Sequence, residues 1–307
     1  MLGLRGAGAE VLEYITDDHP EALDCSHEQT SYGASHPMWL RWDALKAGIE
    51  GFSPHLIVCN AGGLSFTPEV SAMLREKHSL LGIALSDPDV LPTTRQIAPY
   101  FDLFLTNAPS CLPDYQRSGA RAHALPWGTN ESYFAPAPVL PEYDCEVLVF
   151  GSAYPDRIET VQELCRRFQT HVYGEGWEPY GIQSRGLILD RRALSILRSA
   201  RMTVVFCKTS GNHTIVKPYL FNYLAAGALV VTNQIPEAEE YFVFGKELIG
   251  FQSTADLLDK IGYYLRHPIE AIRIQLAGRD RVLRQYTWRK RWLEILALLR
   301  QDSEVSQ

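Results

Sequence analysis

His213, Thr214 and Lys217 stand just ahead of Pro218 in the run SGNHTIVKPYLFNYLAAGALVVTN. Proline suits a helix start, Gly227 a helix stop, and Ala228 to Thr232 an apolar, β-branched strand. A helix start presents unpaired N–H groups and the positive end of a dipole. An imidazole, a hydroxyl and an ammonium beside it would make a site for an anion such as a phosphate. The alternative is a solvated loop before a proline-started helix. Asn222 is a polar exception on an otherwise apolar helix. Its amide offers one donor group and one acceptor, for a ligand or for a neighbouring backbone group.

A second cluster follows the buried-strand run LLGIAL: Ser86, Asp87, Pro88 and Asp89. A carboxylate just past a strand end is placed to take a proton from a nucleophile. It would equally cap the turn before Leu91 and Pro92. Asp87-Pro88-Asp89 is formally a DxD, yet Pro88 fixes a turn and the flanking pattern does not suit a metal motif, so no metal site is expected. Asn60 and Asn107 hold equivalent strand-end positions and would line a site or tie a loop. Gly151 and Ser152 follow CEVLVF, where small residues let backbone approach a phosphate. Tyr154, Asp156 and Arg157 come next, and Asp156 also suits the cap of a helix over 157–168. In YGEGW, Gly174 and Trp177 would frame a stacked base or a turn with a packed indole.

Alternating elements must hold these residues. Apolar runs at 10–15, 55–60, 80–85, 101–107, 145–151, 170–174, 202–207 and 228–233 read as strands. Helices are expected near 38–51, 67–77, 110–119, 156–168, 191–199, 216–226, 236–242, 254–266, 268–285 and 288–300. Such alternation implies parallel sheets covered on both faces. Pro136, Pro138 and Pro141 mark a linker without helical period. The expected organisation is a first domain at 1–136, a linker at 137–144, a second domain at 145–285 and a terminal helix and tail at 286–307. The terminal helix is expected to pack back on the first domain. Ligands in such folds sit at the carboxyl ends of the strands, which places the site in a cleft between the domains.

The chain has 307 residues, enough for two medium domains, and 46% hydrophobic residues, ample for their cores. A net charge of −7 argues against binding a nucleic-acid backbone, which needs clustered cations. The basic run RDRVLRQYTWRKRW (279–292) places Val282, Leu283, Tyr286 and Trp292 on one helix face, with its arginines on a solvated one. The six cysteines form no CxxC and no zinc spacing, so buried free thiols in a reducing cytoplasm are expected. No apolar run reaches the length of a membrane span.

The order of FGSAYPDRIETVQEL, VYGEGW, KPYLFNYLAAGALVVTN and EEYFVFGKELIGFQSTADLLDKIGYYLRHPIEAIRIQLAGRDRVLRQYTWRKR resembles the spore-maturation-protein-like branch of the GT-B glycosyltransferases, related to the group-one transferases. SPHLIVCNAGG, SDPDV, YFDLFLTNAPSCLPDYQRSGA and LPWGTNESYFAP agree in the first half. The resemblance implies a GT-B fold: two doubly wound α/β, Rossmann-like domains facing across a cleft. It implies transfer of a glycosyl group from a nucleoside-diphosphate sugar, with neither metal nor other cofactor. The acceptor is open among polysaccharide, protein, natural product and nucleoside. Donor contacts would fall on Gly151, Ser152, Arg157, Lys208, His213, Thr214 and Lys217, with Asn222 at the ribose. Asp87 would be the base, with Asn60, Ser86 and Asn107 on the acceptor side.

Two positions depart from the family pattern: Asn222 stands where a glutamate is usual, and Tyr219 where a basic residue is common. The family also has a first strand and long helix before GAEVLEYI, of which only the helix tail is expected here. A start lying upstream, a rearranged first domain or a partner chain would each account for that, and a homo-oligomer is separately open. A non-catalytic nucleotide- or partner-binding GT-B protein is the rival reading. A sugar-nucleotide epimerase or a phosphorylase ranks after it.

Overall fold

The computed structural model describes residues 2–12, 23–24, 38–40, 42–60, 64–65, 68–125, 127–188 and 190–300. The chain divides into two compact units, essentially residues 3–126 with 292–307, and residues 127–291.

In the first unit, strands Leu56–Asn60, Ser79–Ala84, Leu103–Thr106 and Ala122–Ala124 form one parallel sheet in chain order. Leu80, Leu81, Ala84, Leu103, Phe104 and Leu105 are all buried, as a sheet covered on both faces requires. Helices Pro68–Arg75, Leu91–Ile97 and Leu112–Arg117 lie between these strands in the chain. Strands Leu23–Asp24, Met38–Leu40 and Leu64–Ser65 make a separate small sheet. Pairing of Met38–Leu40 into it delays the expected helix at 38–51, which runs over Trp42–Phe52. The strand expected at 10–15 is irregular over Glu10–Leu12, and its remainder lies outside the described residues.

The second unit carries a five-stranded parallel sheet. Its order is Ile249–Phe251, Val230–Asn233, Ala200–Val205, Cys145–Phe150, Thr170–Tyr173. Numbered along the chain this is 2-1-3-4-5, so the strand order reverses between Cys145–Phe150 and Ala200–Val205. Two apolar layers flank the sheet because successive strand residues point to opposite faces. Leu148 joins Leu220, Phe221, Leu224, Phe242 and Tyr286 on one side. Val147 and Val149 join Val161, Leu164, Trp177, Leu257 and Ile261 on the other.

Local signals set the helix ends. Ser253 caps the Thr254–Arg266 helix by accepting from the Asp256 amide at 3.2 Å. Gly227, at φ +79°, ends the Pro218–Ala225 helix, with Gly227 N–H donating to Leu224 O and Ala228 N–H to Tyr223 O. That pair of bonds is a Schellman close, which favours glycine at the left-handed position.

The second unit begins at Trp127, ahead of the proline-bearing segment expected to separate the domains. Side-chain chemistry explains the shift. Trp127 Nε1 donates to Val216 O at 3.1 Å, Arg291 Nε donates to Trp127 O at 3.2 Å, and the Thr129 amide donates to Tyr286 O at 2.8 Å. Arg291 is therefore buried, its guanidinium 4.8 Å from the Tyr286 ring centre, and not on a solvated basic face. Val282, Tyr286 and Trp292 are buried, as the apolar spacing requires. The Trp288–Arg300 helix carries the chain from the second unit into the first, where Arg121 Nη2 donates to Leu298 O at 2.9 Å. Among the described residues no helix is long and apolar enough to cross a membrane.

Candidate functional site

The reversal of strand order in the second unit leaves a crevice where the loops after its two central strands diverge, and ligands of open α/β sheets collect there. The first of those loops starts at Gly151, exposed and at φ +133°. Its carbonyl accepts from Trp177 Nε1 at 2.8 Å. Trp177 is fully buried, so it anchors the loop and does not stack on a base. Gly174, at φ +131°, passes so close that an added Cβ would lie 2.3 Å from Gly151 O. Backbone cannot give way there without moving the Gly151 loop. Gly174→Ala is therefore expected to cost roughly 3 kcal/mol of stability. Chemical denaturation of the variant beside the wild type checks this.

Arg157 lies beneath this loop, 6% exposed. Its Nε and Nη2 reach the Asp156 carboxylate at 3.3 and 3.4 Å, and Nη2 reaches Lys208 O at 3.5 Å. The guanidinium sits 4.7 Å from the Tyr154 ring centre and 5.0 Å from that of Phe206. It binds the loop after the first strand to the loop after the third, an ion pair and two cation–π contacts compensating the buried charge. Asp156 is its counter-ion. Arg157 itself occupies the helix N-cap position. Ser152 is half-buried beside Gly151.

The second loop folds on itself. Lys208 bridges to Thr214 in antiparallel register, and its Nζ donates to Asn212 O at 3.3 Å and to Asn212 Oδ1 at 2.9 Å. Thr209 N–H donates to His213 O at 2.9 Å. The ammonium of Lys208 is thus engaged within the loop, while His213 and Thr214 are exposed at its return. Lys217 occupies the N-cap position of the Pro218–Ala225 helix, half-buried and in extended conformation, and its side chain makes no capping bond.

Asn222 lies on the first turns of that helix, and its Oδ1 accepts from the Thr129 hydroxyl at 3.0 Å. Thr129 is fully buried and held by the backbone of Tyr286 and Trp288. Asn222 therefore tethers the 127–130 segment through a side chain. Its Nδ2 is its second polar end. Tyr219 is 52% exposed and stacks on Tyr223, with ring centres 5.7 Å apart. Tyr223 in turn meets the Phe150 ring at 6.0 Å, tilted by 51°.

The residues singled out in the first unit divide differently. Ser86 is exposed. Asp87 is fully buried: its Oδ2 accepts from Thr106 Oγ1 at 2.5 Å and from Tyr115 Oη at 2.8 Å, while its Oδ1 is buried without a partner. Asn107 is also buried. Its Oδ1 accepts from the Asp87 amide at 2.9 Å, and its Nδ2 donates to Asp87 O at 3.2 Å. These two side chains tie strand ends together, so burial corrects the expectation that both face an acceptor. Burial also pushes the Asp87 carboxyl above the usual carboxylate range, against the two hydroxyl bonds that pull it down. Asn60 ends the Leu56–Asn60 strand with its backbone in register with Ile83.

Sequence reasoning passed over Glu237, Thr129 and Asn233. Asn233 Oδ1 accepts from the Cys207 amide at 2.9 Å, joining the ends of neighbouring strands. All three are single polar residues whose partners lie far along the chain. Of the cysteines described, Cys59, Cys111, Cys145 and Cys207 are buried and free, and Cys165 is exposed and free. Burial pushes the Cys59 thiol up to about 12, which keeps it inert. Among the described residues no group of three or more His, Cys, Asp or Glu side chains could hold a metal ion.

No curated protein matches the sequence. Solved structures match the fold: sucrose-phosphate synthase from Thermosynechococcus elongatus has 18% identity and a TM-score of 0.63, over 86% of this chain and 77% of that one. Anabaena HepE in complex with UDP-glucose has 13% identity and a TM-score of 0.56, over 80% and 79% of the two chains. TarM has 14% identity and a TM-score of 0.59, over 87% of this chain and 61% of that one. These neighbours are GT-B glycosyltransferases, and the α/β units with parallel sheets described above have that fold. The family model described as glycosyl transferase-like matches residues 143–297, which span the whole sheet of the second unit and the loops at its carboxyl edge, and the chain belongs to that family.

Proposed function

We propose that this glycosyltransferase takes its sugar from a uridine-diphosphate donor held at the carboxyl edge of the second unit, without a catalytic metal. One observation carries the reading. At the reversal of strand order, the Gly151 backbone, the exposed His213–Thr214 return and the Lys217 ammonium at a helix start share one rim. A diphosphate needs such donors, and the helix dipole reinforces them. HepE, which has this fold, binds UDP and UDP-glucose.

Transfer breaks the bond between the anomeric carbon and the β-phosphate oxygen, leaving negative charge on the departing nucleotide. Lys217, His213 and Thr214 would offset that charge, the role a metal fills elsewhere. Gly151 and Ser152 would bring backbone to the phosphates, with Arg157 and Lys208 setting their loops. Asn222 would reach a ribose hydroxyl through Nδ2 while Thr129 holds its oxygen. Charge-assisted bonding is lost relative to a carboxylate there. Exposed Ser86 would serve the acceptor side with Asn60, and Asp87 and Asn107 would act behind them.

Thermal unfolding with UDP, UDP-glucose, GDP and ADP, each with and without EDTA, tests the reading. A ligand at 100 times its Kd stabilises by about 2.7 kcal/mol. A shift with the uridine nucleotides, unchanged by EDTA, is expected. No shift with any nucleotide would overturn the donor site, and a shift abolished by EDTA would overturn its metal independence.

A further inference from the structure

Glu237 sits in the short Pro236–Glu239 helix just past the Val230–Asn233 strand, on the same carboxyl edge as the donor loops. Its Oε2 accepts from the Val216 amide at 3.2 Å. Val216 is buried and immediately precedes Lys217, and its carbonyl accepts from Trp127 Nε1. The residue that carries the helix-start ammonium is thus fixed through its neighbour's amide and carbonyl. The other carboxyl oxygen, Oε1, is buried and makes no hydrogen bond. An orphaned carboxyl oxygen is costly in a fold that otherwise pairs its buried polar groups, and such an orphan calls for an explanation.

We propose that Glu237 is a positioning residue of the donor site: it sets the His213–Lys217 return through the Val216 amide, and its negative charge, when present, opposes that of the bound diphosphate. The proposal rests on the donor reading above and adds a control to it. A neutral Glu237 keeps the Val216 bond, since Oε2 still accepts, and leaves the positive helix start unopposed. An ionised Glu237 keeps the bond but places a second anion behind the phosphates.

Burial shifts the balance toward the neutral form, holding the Glu237 carboxyl above the ordinary glutamate range. The groups facing it support this. Glu240, on the following turn, raises it further, and the Val216 amide lowers it. Tyr241 on its own segment feels it, together with Arg291 and Glu240. From the loop after the third strand, Cys207 lies near both Lys217 and Glu237. Binding of an anion raises the carboxyl further, because the two charges repel. Linkage then requires donor affinity to be greatest where Glu237 is protonated and to fall as pH rises through its raised pKa.

The test uses the full chain and UDP-glucose, whose diphosphate diester does not titrate between pH 5 and 8. Titration calorimetry over that range should show affinity falling roughly fivefold toward high pH in the wild type. Glu237→Gln should flatten the profile at the higher affinity. His213→Ala, which removes the imidazole from the rim, should leave the Glu237-dependent part of the fall in place. Val216 amide exchange in the ligand-free chain gives a reading independent of donor: slow in the wild type and in Glu237→Gln, and at least tenfold faster in Glu237→Ala. A wild-type pH slope persisting in Glu237→Gln, or loss of UDP-glucose binding at every pH in that variant, overturns the charge role. Unchanged Val216 exchange in Glu237→Ala overturns the positioning role. If the wild type binds no uridine nucleotide while Val216 exchange responds as expected, the donor reading fails and the positioning role stands.

Discussion

Lys217→Ala is expected to weaken UDP-glucose binding roughly tenfold and to slow UDP release from the donor by about a hundredfold or more. The two effects differ in size for a physical reason. The ground-state diphosphate diester is already anionic and gains from the ammonium, but the departing nucleotide carries more charge, and a fixed cation is worth most where charge develops. Lys217 is half-buried at the N-cap of its helix, where solvent screens it less than on an open surface. It makes no capping bond, so its removal takes no side-chain cap from the helix. Lys217→Arg, which keeps the charge but not its compact geometry, should recover binding more fully than turnover. Calorimetric titration gives the first quantity, coupled detection of UDP with water as acceptor the second. Weakened binding with an unchanged rate of UDP release at saturating donor would assign Lys217 to uniform donor binding and remove it from the transferring step.

Much of this arrangement is legible in the chain. The apolar runs at 145–151, 202–207 and 228–233 become the central strands of the second sheet because fully buried parallel strands demand unbroken β-branched stretches. Pro218 and Gly227 bracket their helix as a proline start and glycine stop should. The elements missed are short: Ala122–Ala124 and Ile249–Phe251, three residues each, give no period to read. Proline content points to a linker at 137–144, whereas the second unit begins at Trp127, where Trp127 and Thr129 share hydrogen bonds with residues some 90 to 165 positions away. No local pattern encodes those. Position at a strand end was legible for Asp87, Asn107, Gly151 and Ser86 alike. Which of them faces solvent depends on what packs above each strand end, and for Asp87 and Asn107 that is set by Thr106 and Tyr115 and by their bonds to one another.

Asp87→Ala is expected to destabilise the first unit by about 2–4 kcal/mol, a calorimetric shift on the order of 10 °C. Truncation removes the acceptor shared by the Thr106 and Tyr115 hydroxyls, both fully buried, leaving Thr106 Oγ1 to the more distant Ala108 carbonyl at 3.3 Å and Tyr115 Oη to Thr94 Oγ1 at 2.5 Å. Losing a charged acceptor for two buried hydroxyls costs more than losing a neutral one. Tyr115 packs on Phe104, with ring centres 4.8 Å apart, so loosening the phenol also loosens the central strand. Asp87→Asn separates charge from connectivity, since the amide oxygen still accepts from both hydroxyls. The carboxyl is held above its unfolded value, so the folded state retains the proton longer than the unfolded one. Its contribution is complete below the unfolded carboxylate pKa and is lost as pH rises through the folded value. Wild-type stability of this unit should therefore decline over that window, and Asp87→Asn should remove the decline while leaving the fold intact. If Asp87 were instead an exposed, ionised base, Asp87→Asn would abolish transfer and leave the pH dependence of unfolding unchanged. Calorimetry of the two variants across pH 4 to 8 distinguishes these outcomes, and the burial of both carboxyl oxygens favours the first.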